Sequence, residues 1–195
     1  GCKEGPNNFS YDARIKGRFN GAFTYYALKA LKSMKPGANY ADWHKAIAHT
    51  LARFGKLDIL VNNAGIVVPG DIETATLEQY RLLNAIHAEG SFLGCKYGIE
   101  AMKANPGSTG SIINISSLSA IRGFLGVITY AAAKGAILAM TTTIAAHFRE
   151  KGYAMRCNAI LPGMINTPLL AAVGADTLPG LGQPDDIANT VLFLA

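Results

Sequence analysis

Three short apolar runs, separated by long stretches with helical spacing, constrain the fold of this 195-residue chain more than any other feature. The runs are residues 57–62, 110–115 and 154–160. Each has the length and the bounding residues of a buried strand. Apolar residues at helical spacing predict helices over 41–54, 77–102, 129–148 and 184–194. Strands that alternate with helices predict an α/β fold, a three-layer, doubly wound parallel sheet covered on both faces.

Cysteine and histidine usage bears on metal and disulfide sites. The three cysteines, Cys2, Cys95 and Cys157, are odd in number and form no Cys-x-x-Cys pair, so neither a disulfide framework nor a zinc site is indicated. The four histidines show no ligand spacing with cysteines or carboxylates. We therefore expect no metal site.

Charge and hydropathy bear on partners and location. The net charge of +5 comes from scattered lysines and arginines, which does not indicate a nucleic-acid surface. Lys134 and Arg149 interrupt the longest apolar region, so we expect no membrane span. Residues 1–8 lack the apolar core of a secretory signal. These patterns favour a cytoplasmic location.

Polar and glycine residues follow each apolar run directly. They are residues 62–65, 116–117 and 162–163. Ligands of open parallel sheets bind at the carboxyl ends of the strands. The sequence thus predicts a binding site built from these three segments.

Tyr130 and Lys134 are four residues apart on a predicted helix, so their side chains share one face. A tyrosine hydroxyl has a pKa of about 10, and a neighbouring ammonium lowers that pKa toward the range of an acid/base catalyst. Ser117 follows a strand thirteen residues earlier, where its hydroxyl could bind the same substrate oxygen. Tyr25 and Lys29 repeat the spacing without such a strand, and we interpret them as a solvated helix face.

Several motifs, in order along the chain, resemble those of the short-chain dehydrogenase/reductase family. The matching segments are residues 57–65 (LDILVNNAG), 114–117 (NISS), 130–134 (YAAAK), 156–163 (RCNAILPG), 167–168 (TP) and 183–188 (QPDDIA). The resemblance implies a Rossmann-like fold, an NAD(P)-dependent enzyme, and a small-molecule alcohol or ketone as substrate. Residues 65–73 and 92–103 look most like bacterial hydroxysteroid and secondary-alcohol dehydrogenases.

The resemblance also implies a role for each matching residue. Tyr130 would be the acid/base, Ser117 would polarise the carbonyl, and Lys134 would bind the nicotinamide ribose and lower the pKa of Tyr130. The residues implied to contact the cofactor are Asn63, Ala64, Gly65, Tyr130, Lys134, Pro162, Gly163, Ile165 and Thr167. The cofactor would be NAD or NADP, of which we expect NAD. In the family that this chain resembles, the helices corresponding to 77–103 and 129–149 commonly pair between subunits, so the resemblance implies a homo-oligomer, either a dimer or a tetramer.

Three departures from the family pattern stand against this interpretation. His87 takes the place of an Asn that supports a water in the family's proton relay, and either a relay role or simple packing would fit it. The glycine-rich loop is reduced to residues 16–23, with Gly17 and Gly21. Compared with the family pattern, we expect strand and lid segments to be lacking at both ends and between 167 and 184. We expect residues 1–195 to be one domain of a longer chain.

Two functions remain open on the sequence. The first is interconversion of a secondary alcohol and a ketone, with a bulky apolar substrate suggested by Leu118, Ile121, Phe124, Leu125, Val127 and Met164. The second is a non-catalytic relative that binds a nucleotide without turnover, which the reduced glycine-rich loop and His87 favour. Formation of NAD(P)H from secondary alcohols, abolished by Tyr130→Phe, would indicate the first function, and binding without turnover would indicate the second.

Overall fold

The computed structural model describes residues 14–15, 18–19, 47–48, 50–171, 173–175 and 177–195. The predictions for Tyr25, Lys29, Gly17 and Gly21 lie outside these residues. Near the N-terminus, β1 (Arg14–Ile15) and β2 (Arg18–Phe19) form a short antiparallel pair that the sequence patterns did not predict.

A parallel three-stranded sheet lies at the centre of the described fold. Its strands are β3 (Ile59–Asn62), β4 (Gly110–Ile115) and β5 (Met155–Ile160), in the order β3-β4-β5. Leu60 pairs with Ile112 and Asn62 with Asn114, so β3 and β4 end at the same level. The three predicted strands are confirmed, with β3 beginning two residues later than expected.

Five helices accompany the sheet in the described part of the chain, besides the helical residues 47–48 and 50–54. They are α1 (Leu77–Asn84), α2 (Gly90–Lys103), α3 (Ile128–Lys151), α4 (Pro168–Ala171) and α5 (Pro184–Leu194). Thr76 caps α1 through a capping box with Gln79. Gly152 ends α3 with a φ of 67°, which glycine adopts without steric cost.

The predicted helix over 77–102 is not continuous, because a π-helical turn, Ala85–Glu89, separates α1 from α2. A π-turn inserts one extra residue per turn, and such turns are frequent at functional sites. Apolar spacing continues through the insertion, so the periodicity gave no sign of it.

Both faces of the sheet are buried, which confirms the three-layer α/β architecture. Leu60, Ile112 and Cys157 belong to a core cluster with α2 and α3 on one face. Ile113 and Ile115 pack with Ile187 and Val191 of α5 on the other. Alternate residues of β4 thus point into two separate cores, as expected for a strand covered on both sides.

Helix α3 is long and apolar enough, by length and composition, to cross a membrane. The expectation that Lys134 and Arg149 exclude such a stretch was therefore wrong, because an apolar window tolerates one or two charges. The helix packs on β5 and carries the buried residues Ile137 and Phe148. A core helix of a globular domain passes the same test of length and composition.

Candidate active site

A cavity of about 360 Å³ opens at the carboxyl ends of β3, β4 and β5. This is the edge at which the sequence places the site. Nearly all the predicted site residues line the cavity: Asn63, Gly65, Ser117, Tyr130, Lys134, Pro162, Gly163, Ile165 and Thr167. Ala64 is the exception and does not belong to the lining.

Ser117 reaches the cavity because it ends the segment that follows β4. Its backbone is extended, and its Oγ accepts a hydrogen bond from Ser119 N at 3.1 Å, which caps the 3₁₀ turn Leu118–Ala120. A hydroxyl that accepts one bond still has its own proton to donate. Ser117 can therefore donate that proton to an oxygen in the cavity.

Lys134 is held in place by two hydrogen bonds with the end of β4. Its Nζ donates to Ile115 O at 2.7 Å, and Ser116 Oγ donates to Lys134 O at 2.8 Å. The side chain is 3% exposed, and this burial lowers the pKa of Lys134 from 10.5 to about 8. An ammonium has three N–H donors, so donors remain for a ligand.

Tyr130 lies in the first turn of α3, with its ring centroid 5.5 Å from Lys134 Nζ. Burial raises the pKa of Tyr130, and the hydrogen bond with Ser117 acts in the opposite, smaller sense. The expected lowering by Lys134 is thus not the net result. The same low-dielectric surroundings disfavour both the phenolate and the ammonium. The pKa of Tyr130 therefore rises and the pKa of Lys134 falls, and each shift favours the neutral side chain.

His87 lies in the π-turn, is 1% exposed, and lines the same cavity. Its ring meets that of Tyr130 edge-on, with centroids 5.4 Å apart at 88°. Burial, and then the charge of Lys134, lower the pKa of His87 to about 4, while a hydrogen bond with Ile66 opposes them. The imidazole is therefore neutral near pH 7.

A buried polar network beneath the cavity was missed on the sequence. Asn62 Nδ2 donates to Asn114 Oδ1 at 2.7 Å, and Asn114 Nδ2 donates to Thr141 Oγ1 at 2.9 Å. These bonds join β3, β4 and α3. The available signal was an Asn inside each of two otherwise apolar runs, since most buried side-chain amides are hydrogen-bonded.

The segment after β5 contributes apolar walls that the motifs did not identify. These additional lining residues are Leu169, Leu170, Val173, Ala175 and Ile187. The segment is anchored at Ile165, which forms a parallel bridge with Gly182, and Gly182 N donates to Met164 O at 3.0 Å. Within the described residues, no three His, Cys, Asp or Glu side chains come together as a metal site.

Comparison with known proteins gives consistent matches. A family model described as enoyl-(acyl carrier protein) reductase matches residues 38–195. The 3-beta-hydroxysteroid dehydrogenase of Comamonas testosteroni is 40% identical over 169 residues, covering 80% of this chain and 65% of that protein. The NADP-dependent (R)-specific alcohol dehydrogenase of Lentilactobacillus kefiri is 38% identical over 168 residues, with coverage of 80% and 65%.

A solved structure, ElxO with NADP bound, superposes with a TM-score of 0.71 and 28% identity, covering 80% of this chain and 67% of that one. The chain spans slightly under two thirds of the length of the two curated relatives.

Proposed function

Since the chain belongs to the short-chain dehydrogenase/reductase family, we propose that it interconverts a secondary alcohol and a ketone with a nicotinamide dinucleotide, using Tyr130 as the acid/base. The observation that carries the proposal is the convergence of Ser117, Tyr130 and Lys134 on one cavity. Two elements bring these side chains together: Ser117 follows the end of β4, and Tyr130 and Lys134 lie on successive turns of α3.

The cavity suits the nicotinamide end of a dinucleotide. Two of its lining residues, His87 and Ser119, have a buried polar atom, Nδ1 and Oγ respectively, without a hydrogen-bond partner among the described residues. Buried polar atoms of this kind require a ligand or water. Asn63, Gly65, Lys134 and Thr167 would hold the dinucleotide, which when bound supplies or accepts hydride at the substrate carbon.

The protein's own part is to move a proton at the substrate oxygen. In the reductive direction the Tyr130 hydroxyl donates its proton to the carbonyl oxygen, and in the oxidative direction it takes the proton back. Ser117 donates a hydrogen bond to the same oxygen, because the bond that it accepts from Ser119 N does not use its hydroxyl proton. Burial raises the pKa of Tyr130 above its ordinary value, so near pH 7 the hydroxyl carries the proton that reduction would use.

We infer an uncharged, largely apolar substrate. The lining includes Leu118, Phe124, Leu125, Val127 and Met164, whereas Ile121 lies outside it. Lys134 is its one lysine or arginine among the described residues, and the donors that Lys134 does not use on Ile115 O are proposed to bind the dinucleotide. A carboxylate on the substrate would therefore enter the cavity without a partner, which is costly.

A matched pair of alcohols tests both the reaction and the substrate class. We expect the purified chain to oxidise cyclohexanol with NAD⁺ or NADP⁺ at a kcat/KM at least ~10-fold above that for 4-hydroxycyclohexanecarboxylate, since an unpaired buried charge costs more than 1.4 kcal/mol. Absorbance at 340 nm measures the rate. Equal rates for the two alcohols would contradict the substrate class, and dinucleotide binding without turnover would favour the non-catalytic relative.

The expected preference for NAD has no support from the comparisons. ElxO holds NADP, and the Lentilactobacillus alcohol dehydrogenase is NADP-dependent. We therefore propose NAD or NADP without a preference, and the assay uses both.

We further propose a cytoplasmic homo-oligomer. Large apolar side chains are exposed on α1 and α2, namely Leu77, Tyr80, Leu82 and Phe92. Exposed apolar patches of this kind are typical of protein interfaces. Light scattering on the purified chain measures the assembly, and a monomer would contradict this part of the proposal.

A further inference from the structure

His87 contacts both sides of the cavity. On one side, its Nε2 lies 2.7 Å from Ile66 O and 3.2 Å from Ile66 N, in the turn that follows β3. On the other side, its ring meets the ring of Tyr130 edge-on. The turn of residues 63–66 and the Tyr130 side chain are thus held apart by one buried imidazole.

The two Ile66 contacts cannot form at the same time. Nε2 either donates to Ile66 O as N–H or accepts from Ile66 N as a lone pair. The contact with the carbonyl oxygen is the shorter by 0.5 Å, so the Nε2–H tautomer fits the geometry better. Nδ1 then carries the lone pair and, within the described residues, has no partner.

Gly65 is in direct contact with the same ring. A Cβ added at Gly65 would collide with His87 Cε1 and would lie 3.0 Å from Nδ1, a tight contact. The turn therefore rests on the imidazole at Gly65 and is hydrogen-bonded to it at Ile66. Any displacement of the ring would displace the turn.

We propose that His87 is a positioning residue: its Nε2–H···O bond to Ile66 sets the distance between the turn of residues 63–66 and Tyr130. Since Asn63 and Gly65 of that turn are proposed to hold the dinucleotide, His87 sets how the dinucleotide lies relative to the acid/base. This inference rests on the proposed function.

Two substitutions separate the hydrogen bond from the packing of the ring. His87→Phe keeps an aromatic ring against Tyr130 but removes the nitrogen. His87→Gln removes the ring but presents an amide donor and acceptor at similar reach from the backbone. We expect the dissociation constant for NADP⁺ to rise about tenfold in His87→Phe, the effect of losing one buried hydrogen bond, and to return to within about threefold of wild type in His87→Gln.

Isothermal titration calorimetry measures the NADP⁺ dissociation constant, with NAD⁺ tested in parallel. Steady-state kinetics on the same proteins should show the KM for dinucleotide rising more than kcat falls. Wild-type binding by His87→Phe, or no recovery in His87→Gln, would overturn the proposal. Circular dichroism and thermal unfolding identify a variant that has simply failed to fold. If misfolding caused the loss of binding, His87→Phe and His87→Gln would both lose it.

A double-mutant cycle tests the contact with Gly65. Gly65→Ala alone should weaken NADP⁺ binding strongly, because its methyl group collides with the imidazole. In the His87→Ala background the same methyl group has room, so the added loss from Gly65→Ala should be at least tenfold smaller than in the wild type. Strictly additive losses would mean that Gly65 is required by the dinucleotide alone and would overturn this coupling.

The tautomer provides a readout that needs no activity. ¹⁵N-resolved spectra of the imidazole should show one protonated nitrogen, Nε2, near pH 7. A protonated Nδ1 would contradict the donor role of Nε2. If the wild-type chain binds dinucleotide but turns over no alcohol, the proposed function fails while the spectra and binding constants still decide the role of His87.

Discussion

Tyr130→Phe is expected to lower the rate of dinucleotide-linked alcohol oxidation by ~10²–10⁴-fold, the usual contribution of a positioned acid/base. The substitution removes the oxygen that, once deprotonated, is proposed to accept the substrate proton, and it leaves the ring that packs against His87. Dinucleotide affinity and thermal stability should change little. Initial rates at 340 nm, with calorimetric binding of NADP⁺, measure both quantities.

Tyr80→Phe is the matched control, because it removes the same atom from an exposed tyrosine on α1 that lies outside the cavity. Its rate should stay within about twofold of wild type, because Tyr80 lies outside the cavity and phenylalanine keeps the ring that the proposed oligomer interface would bury. A Tyr130→Phe protein that keeps more than a tenth of the wild-type rate would show that another group moves the proton, and the proposed acid/base would be wrong.

The strands and the site segments were predictable because their signals are local. A strand buried on both faces reads as a continuous apolar run, so 110–115 was predicted with the bounds that β4 has. The residues after each run were predicted to meet because parallel strands end at one edge of the sheet. Helix α5 was likewise predictable, since Pro184 begins it and Asp185 and Asp186 lie in its first turn.

The interior of the site was less predictable because it depends on contacts between distant segments. The four-residue spacing between Tyr130 and Lys134 was the sole basis for expecting the pKa of Tyr130 to fall. The spacing is real, but burial depends on what covers the helix, and burial dominates. The π-turn that carries His87 and the walls from residues 169–175 likewise arise from packing that no local pattern encodes.

Lys134→Met should abolish most activity. Its stability relative to the wild type should also be greater at pH 7 than at pH 10. Loss of the ammonium that is proposed to bind the dinucleotide should lower kcat/KM by ~10²-fold or more, in the range of a lost charge-assisted interaction. The stability effect follows from burial, which lowers the pKa of Lys134 from 10.5 to about 8 in the folded chain.

The sign of the pH dependence is fixed by proton uptake on unfolding. Between pH 8 and 10.5 the unfolded chain holds a proton on Lys134 that the folded chain has lost, so the stability of the wild type rises with pH in this window. Below pH 8 both states are charged, and the folded state bears the full cost of burying the ammonium, roughly 3 kcal/mol. Methionine bears no such cost at any pH.

Urea unfolding of both proteins at pH 7 and pH 10 isolates this charge effect. Loss of the bond to Ile115 O costs the variant ~1–3 kcal/mol, but at both pH values, because a neutral amine also donates it. The stability of Lys134→Met relative to wild type should thus fall by up to roughly 3 kcal/mol from pH 7 to pH 10. Lys151→Met, at the exposed end of the same helix, should show no such change. If the relative stability of Lys134→Met is the same at both pH values, Lys134 does not carry a destabilising charge in the folded chain, and burial does not lower its pKa.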